Sequence, residues 1–263
     1  MKKIFLLFVI LFYVLGFSQN SKIHPVLKNS YSISADTYIG FDAFGFDYYI
    51  KDNVLFKTKD TEMFQYKNIS LGKISKIDIQ NPLKIILFYE NFNTIIALDN
   101  QLNEVQKINL SEINPNIAAT AVGIASNNTI WLFDSLKQQF VFYNYVKNTF
   151  QNIGLPISKT IKNYTSGFNT FYWIDETNAF YSMDIFGKIK LINQIPEYEL
   201  IFIVDEKTIL YSKNNLIYIF DVKKNDSTWL ENIPKSVKNF YYKEQILSIF
   251  TNEGIINFKI NIP

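Results

Sequence analysis

Few residues of this sequence carry side chains suited to acid–base or metal chemistry. The chain of 263 residues has one histidine, His24, and no cysteine. Transition-metal sites of the usual His and Cys type therefore cannot be assembled, and a Ser-His-Asp arrangement would have to use His24. His24 precedes Pro25 in an N-terminal segment, where we interpret it as an incidental loop residue. We predict neither a metal site nor a catalytic residue.

Paired carboxylates are the remaining candidates for catalysis, because glycoside hydrolysis uses two of them across a pocket. Asp42 and Asp47 in GFDAFGFD form one candidate pair, and Glu197 and Glu199 in PEYE form another. All 26 basic residues are lysine, so the arginine cluster with which a sialidase holds a carboxylate is missing. Acids at turns are more often solvated or capping residues. We therefore favour a protein without enzymatic activity.

Two stretches offer oxygen ligands of the kind that calcium prefers. DNQLNE at Asp99–Glu104 and KKNDST at 223–228 both lack the Asp-x-Asp-x-Asp-Gly spacing of a calcium loop. An ordinary hairpin turn explains both of them. The sequence also has no glycine-rich phosphate loop and no dinucleotide-binding fingerprint. We expect no cofactor.

The first eighteen residues have the layout of a secretory signal peptide. A basic start at Met1–Lys3 is followed by the apolar run Ile4–Leu15 and by Gly16-Phe17-Ser18, which suits a cleavage site. A membrane anchor is the alternative, but twelve apolar residues are too few to cross about 30 Å of hydrocarbon. We predict export to the periplasm in association with the outer membrane, and we rank the cell surface and secretion lower.

The charge balance of the mature protein argues against a nucleic-acid partner. Removing Lys2 and Lys3 with the leader leaves 24 basic and 24 acidic residues, since the full chain has 26 and 24. Nucleic-acid binders carry a basic excess on one face. We therefore expect a protein partner and only indirect contact with a membrane.

The elements that position these residues follow from a repeat. Most of the chain consists of short runs rich in β-branched and aromatic residues, separated by Asn, Asp, Lys and Gly, which is the pattern of strands. TIIALDNQLNEVQKINL at Thr94–Leu110 and NLIYIFDVKKNDSTWL at Asn215–Leu230 share one layout. The residues that open the turn after equivalent runs recur every 38 to 44 positions: Asp52, Glu90, Asp134, Asp175, Lys213 and Asn252. This period predicts the four-stranded blades of a β-propeller.

Six such units fit, so we predict an all-β, six-bladed β-propeller as one domain of residues 19–263. A four-stranded sheet of this size cannot cover both of its faces alone, whereas neighbours in a ring cover them. The last unit has only three good strands, and we expect the N-terminal strand at 25–34 to pair with it and close the ring. The predicted blades are 36–71, 72–112, 117–156, 157–196, 197–234 and 235–263.

Aromatic loops are the predicted binding residues. In TYIGFDAFGFDYYI at Thr37–Ile50, the rings either pack between blades or present Phe44 at the Ala43–Gly45 loop as an anchor for a partner. NYTSGFNTFYW at Asn163–Trp173 repeats the glycine and aromatic pattern in blade four, which allows both loops to lie on one face. The predicted partner contacts are Tyr38, Phe41, Phe44, Phe46 and Phe168.

Three functional hypotheses remain. The first is a non-catalytic interaction subunit, monomeric on its own, that docks onto an outer-membrane or secretion assembly through aromatic loops on a rigid ring. The second is a glycan-binding or glycan-active propeller, and the third is a small-molecule sensor domain.

The leader MKKIFLLFVILFYVLGFSQN resembles those of exported proteins of the Bacteroidota. Over the whole mature chain, the predicted propeller resembles the divergent six-bladed propellers of these bacteria. In size, leader, absence of a lipid anchor and lack of catalytic groups, it is also similar to the soluble subunit that plugs the periplasmic mouth of the type 9 secretion translocon. That resemblance implies a role in protein transport, and no motif carries it to particular residues.

Overall fold

The structure is a computed structural model, and it describes residues 22–262. The predicted signal peptide at 1–18 lies outside these residues. Twenty-five strands of the described part form six sheets arranged as a ring. Within each sheet the strands are numbered first to fourth from the axis outward.

The strands of the first three blades follow one another along the chain. Blade 1 contains β3 (Thr37–Phe41), β4 (Asp47–Lys51), β5 (Val54–Lys59) and β6 (Glu62–Tyr66). Blade 2 contains β7 (Lys76–Asp78), β8 (Ile85–Tyr89), β9 (Thr94–Leu98) and β10 (Glu104–Asn109). Blade 3 contains β11 (Ala119–Ile124), β12 (Thr129–Asp134), β13 (Gln139–Asn144) and β14 (Thr149–Ile153). One short helix, α1 (Leu110–Ile113), follows β10 and is capped by the Asn109 side chain.

The other three blades repeat this order. Blade 4 contains β15 (Ile161–Ser166), β16 (Thr170–Asp175), β17 (Ala179–Asp184) and β18 (Ile189–Gln194). Blade 5 contains β19 (Leu200–Ile203), β20 (Thr208–Lys213), β21 (Leu216–Asp221) and β22 (Asp226–Leu230). Blade 6 contains β23 (Asn239–Lys243), β24 (Ile246–Phe250) and β25 (Ile255–Lys259), with its fourth strand supplied from the N-terminal part of the chain. The predicted six-bladed propeller is confirmed.

The N-terminal segment closes the ring, as the sequence predicted. Strand β2 (Val26–Tyr31) pairs antiparallel with β25, so that Val26 lies opposite Lys259 and Tyr31 lies opposite Ile255. The sequence did not predict β1 (Lys22–Ile23), which pairs parallel with β22 as a fifth strand of blade 5. Because β1 and β2 belong to different blades, one segment joins blades 5 and 6.

The first strands of the six blades all run in the same direction along the axis of the ring. Near their starts, the Asn163 side chain donates to the Tyr198 hydroxyl oxygen at 2.7 Å, and Asn239 Nδ2 donates to the Tyr38 carbonyl at 2.6 Å. Near their ends, Asp78 Oδ2 accepts from the Ile124 amide at 2.8 Å. The starts of neighbouring first strands therefore lie side by side, and so do their ends. The loops between first and second strands all lie on one side of the ring, which we call the 1–2 face.

Large aromatic side chains fill the interfaces between blades. Between blades 3 and 4, Trp131, Phe140, Phe171 and Trp173 are almost fully buried, and their ring centroids lie 5.0 to 6.4 Å apart. Burying each of these side chains stabilises the fold by roughly 1.5–3 kcal/mol. Aromatic burial thus replaces the disulfides that a chain without cysteine cannot form.

At many tight turns, asparagine occupies the left-handed backbone positions where glycine is usual. The two-residue turn between β4 and β5 has positive φ at Asp52 (50°) and Asn53 (57°), and the turn between β20 and β21 has it at Asn214 (52°) and Asn215 (61°). Two consecutive left-handed residues match the twist of a hairpin, and Asn tolerates that conformation better than most residues. The chain has only nine glycines for six blades.

Two glycines sit where first strands approach the axis closely. Gly40 has φ of 140°, and a Cβ placed there would lie 2.6 Å from the ring of Tyr241. A Cβ on Gly123 would overlap the side chain of Ser166. The Tyr241 ring also makes edge-to-face contacts with Phe41 and Phe202. Side chains of blades 1, 5 and 6 therefore narrow the space at the centre of the ring toward the 1–2 face.

Candidate protein-interaction face

The loop between β3 and β4 displays Phe44 on the 1–2 face on a fixed turn. The Phe44 side chain is 52% exposed. Asp42 Oδ1 accepts hydrogen bonds from the backbone amides of Phe44 at 2.8 Å and Phe46 at 3.0 Å. Gly45 has φ of 79°, a left-handed conformation that favours glycine. The turn thus presents an aromatic ring with little backbone freedom.

Beneath this turn, Asp42 belongs to a buried ion pair. Asp42 Oδ2 lies 3.6 Å from Lys57 Nζ, and the Asp42 and Lys57 side chains are 0% and 2% exposed. Tyr48 donates to the same carboxylate at 2.9 Å, and Lys57 donates to the Asn100 carbonyl of blade 2 at 2.7 Å. Desolvation lowers the pKa of Lys57 despite the nearby Asp42 charge. Burial, followed by the Asp42 charge, raises the pKa of Tyr48.

The equivalent loop of blade 4 displays Phe168 on a second fixed turn. Its side chain is 43% exposed. The Phe168 carbonyl accepts from the Ser126 amide of blade 3 at 2.9 Å, and the Gly167 carbonyl accepts from Trp131 Nε1 at the same distance. Gly167 also donates to the Thr170 carbonyl at 2.7 Å. As the sequence allowed, Phe44 and Phe168 lie on the same face.

The other three predicted contacts face inward to different degrees. Phe41 is half-buried against Tyr241 with ring centroids 5.4 Å apart. Phe46 is half-buried, with Lys57 Nζ 4.4 Å from its ring centroid. Tyr38 is only 2% exposed, and this corrects its prediction as a partner contact. The register of β3 shifts between Tyr38 and Gly40, which places Tyr38 in the seam between blades 1 and 6.

Sequence reasoning missed Leu83 on the 1–2 face. Leu83 is 62% exposed in the loop between β7 and β8, and its amide donates to Asn81 Oδ1 at 3.0 Å. A single leucine inside NPLK, between proline and lysine, is the signal that would have indicated it. With Phe44 and Phe168, it gives blades 1, 2 and 4 one exposed apolar side chain each in equivalent loops.

The carboxylates considered for catalysis are placed in different ways. Asp42 is buried as described above. Asp47 accepts from the Tyr31 hydroxyl at 2.6 Å and from the Tyr38 hydroxyl at 2.8 Å. Glu197 accepts from Asn178 Nδ2 at 3.0 Å and is exposed. The sequence-predicted pairs are therefore tied to neighbouring structural groups.

The candidate histidine and turn acids lie away from the axis. His24 lies between β1 and β2 on the outer edge, with Nδ1 3.1 Å from a Glu231 oxygen. Asp99 accepts from the amides of Gln101 and Asn103 in its own turn, and hydrogen bonds from Asn103 lower its pKa. These contacts are those of a hairpin turn. Within residues 22–262, no cluster of three or more His, Asp or Glu side chains could hold a metal ion.

The same part of the chain contains no helix that is long and apolar enough to cross a bilayer.

Comparisons with known proteins show the fold and leave the family open. Neither a protein-family model nor a curated protein matches the sequence. Virginiamycin B lyase from Staphylococcus aureus aligns with a TM-score of 0.58 and 13% identity, over 86% of this chain and 80% of that one. A Bacteroides thetaiotaomicron protein of unknown function aligns with a TM-score of 0.57 and 10% identity, over 93% and 75%.

A third solved structure is BBS1N in complex with ARL6DN. It aligns with a TM-score of 0.53 and 8% identity, over 86% of this chain and 77% of that one. At these identities the likeness establishes a shared propeller architecture, and function has to be argued from the residues of this chain.

Proposed function

We propose that this protein is a non-catalytic interaction subunit that binds a protein partner through the 1–2 face. The observation that carries the proposal is that two exposed phenylalanines, Phe44 and Phe168, stand on backbone-clamped turns of the same face. Exposed aromatic side chains in a rigid setting lose little entropy on binding and are frequent hot spots of protein interfaces. Leu83 extends the apolar character of this face to blade 2.

The partner that we propose is an outer-membrane component of a secretion assembly. The leader at 1–18 supports export to the periplasm. The propeller carries its loops on a rigid ring of sheets, which suits the binding of a protein partner. The particular assembly that we propose is the type 9 secretion translocon, with this subunit plugging its periplasmic mouth. The resemblance of the leader to those of exported Bacteroidota proteins supports that choice.

A non-catalytic role is supported by how the candidate groups are engaged. The sole histidine is part of an outer-edge contact with Glu231. Asp42, the acid closest to Phe44 in sequence, is shielded from solvent and paired with Lys57. Among the similar folds, BBS1N is described in complex with another protein, whereas virginiamycin B lyase is named as an enzyme.

The test is affinity purification of a C-terminally tagged copy, expressed from its own locus, from detergent-solubilised envelopes. We expect one outer-membrane protein at fixed stoichiometry, and we expect Phe44→Ala/Phe168→Ala to lose it. The matched control is Ile69→Ala/Leu136→Ala, which removes exposed apolar side chains from loops on the opposite side of the ring.

Truncating one hot-spot residue costs about 2 kcal/mol or more, so each single Phe→Ala change should weaken binding by at least about thirtyfold and the double variant should weaken it further. Equal recovery with both double variants would refute the 1–2 face as the docking surface. A protein recovered alone would refute the interaction role.

A further inference from the structure

A pocket of about 350 Å³ opens on the side of the ring opposite the 1–2 face. It lies where the first strands of blades 4, 5 and 6 begin. Five polar residues line it, namely Lys162, Asn163, Tyr198, Glu199 and Asn239. Its volume falls in the range of pockets that hold small molecules. It is separate from Phe44 and Phe168, so a ligand there does not compete with the proposed partner.

The pocket walls contain hydrogen-bonding capacity that the protein does not use. Asn239 Oδ1 has no hydrogen-bond partner among residues 22–262, but this atom is almost fully shielded, so the acceptor within reach of a ligand is on Glu199. One Glu199 oxygen accepts from the Asn214 amide at 3.1 Å, and the described residues offer the other oxygen no donor. The Tyr198 oxygen accepts from Asn163, which leaves the phenol proton available to donate.

The charges of the pocket do not favour a strongly charged ligand. Lys162 Nζ lies 4.5 Å from the Tyr198 ring centroid and donates to Asn178 Oδ1 at 3.3 Å. Glu199 supplies the opposite charge, and the two side chains form no ion pair within the described residues. One positive and one negative group leave the pocket near neutral.

The remaining walls are apolar and come from Leu200, Ile201 and Phe240. A ligand that fits therefore combines an apolar face with a hydroxyl donor for the free Glu199 oxygen and an acceptor for the Tyr198 phenol proton, and it carries no net charge. A pyranose ring has these properties, because its C–H groups and its hydroxyl groups point in different directions. We infer that this pocket binds a neutral saccharide unit, either free or at the end of a glycan.

The inference is tested with four probes, namely glucose, galactose, mannose and N-acetylglucosamine, titrated at millimolar concentrations into the folded, isotope-labelled protein. We expect at least one sugar to give saturable amide shifts confined to residues 162–163, 198–201 and 239–240. Tyr198→Phe removes one neutral hydrogen bond and keeps the ring, so it should weaken binding about two- to tenfold. Glu199→Gln removes a charged acceptor and should weaken binding more.

The matched control is Tyr145→Phe, the same change at a phenol that donates to Asn128 on the other side of the ring. It should leave sugar affinity unchanged, as should Phe44→Ala/Phe168→Ala. Absence of saturable shifts with all four sugars would overturn the inference, and so would shifts centred on the 1–2 face. The partner pull-down does not involve this pocket. A failed sugar titration and a failed pull-down can therefore be told apart.

Discussion

The Lys57 ammonium lies 3.6 Å from the Asp42 carboxylate in a setting where both side chains are almost fully shielded from water. Through Lys57 the pair reaches the Asn100 carbonyl of blade 2, and through Asp42 it holds the amides of Phe44 and Phe46. One buried contact therefore connects a blade interface to the proposed binding turn. Burying two charges is costly, so such a pair is better understood as specifying a conformation than as adding stability.

Removing one partner of this pair should be strongly destabilising. Lys57→Met leaves the Asp42 carboxylate buried and without a cation, which costs about 3–5 kcal/mol. Asp42→Asn/Lys57→Met should be more stable than Lys57→Met alone, because the neutral Asn leaves no unpaired charge buried and still accepts from the backbone amides. Urea unfolding measures both free energies.

The control for that comparison is Lys224→Met, which breaks the exposed pair with Asp221 at 3.0 Å and should cost less than about 1 kcal/mol. A double variant no more stable than Lys57→Met alone would contradict the coupling.

Gly40→Ala should destabilise the protein more than Gly45→Ala. Both positions have positive φ, so both substitutions introduce backbone strain of about 1–2 kcal/mol. A Cβ at Gly40 also meets the Tyr241 ring at 2.6 Å, whereas the nearest atom at Gly45 is the Lys59 Cε at 3.9 Å. The difference between the two variants in thermal or urea unfolding reports the contact with Tyr241 together with the different backbone strain at φ of 140° and 79°. Equal losses would show that the ring moves aside freely.

Asp47 gives the stability of the ring a defined pH dependence. Desolvation raises the pKa of Asp47, although hydrogen bonds from Tyr31 and Tyr38 act in the opposite direction. A raised carboxyl pKa in the folded state means that its stabilising contribution is fully present below the unfolded pKa. That contribution is lost as pH rises through the folded pKa.

Asp47→Asn should therefore gain stability relative to the unchanged protein as pH rises from about 4 toward 7. Urea unfolding of the two proteins at matched pH values measures the difference. A difference that shrinks over this interval would contradict the assignment.

The Tyr31 hydroxyl should contribute to ring closure more than the other exposed side chains of the same strand. Tyr31 belongs to β2 of blade 6 and donates to Asp47 of blade 1 at 2.6 Å. Tyr31→Phe should cost about 1–2 kcal/mol and speed hydrogen exchange in β2. Leu27→Ala is the control, because Leu27 is 60% exposed and its loss should change stability by less than about 0.5 kcal/mol. Identical exchange in both variants would argue against a role in closure.

Some turns and exposed side chains could be predicted from the sequence, and others could not. Asp134 and Asp175 end β12 and β16, the second strands of blades 3 and 4, where the forty-residue period placed turns. The Gly and aromatic pattern indicated Phe44 and Phe168, whose exposure the structure shows. Leu83 escaped notice because a lone leucine in a polar loop resembles an ordinary surface residue.

The sequence by itself determined the all-β class, the blade number and the use of the N-terminal strand, because these follow from local periodicity and from the missing fourth strand of the last unit. Only the tertiary structure decided that Asp42 pairs with Lys57, that Tyr38 is buried and that Tyr198 and Asn239 line one pocket. These contacts join residues of different strands or blades. Their distances depend on the register of each sheet and on the closure of the ring, which the order of residues along the chain does not specify directly.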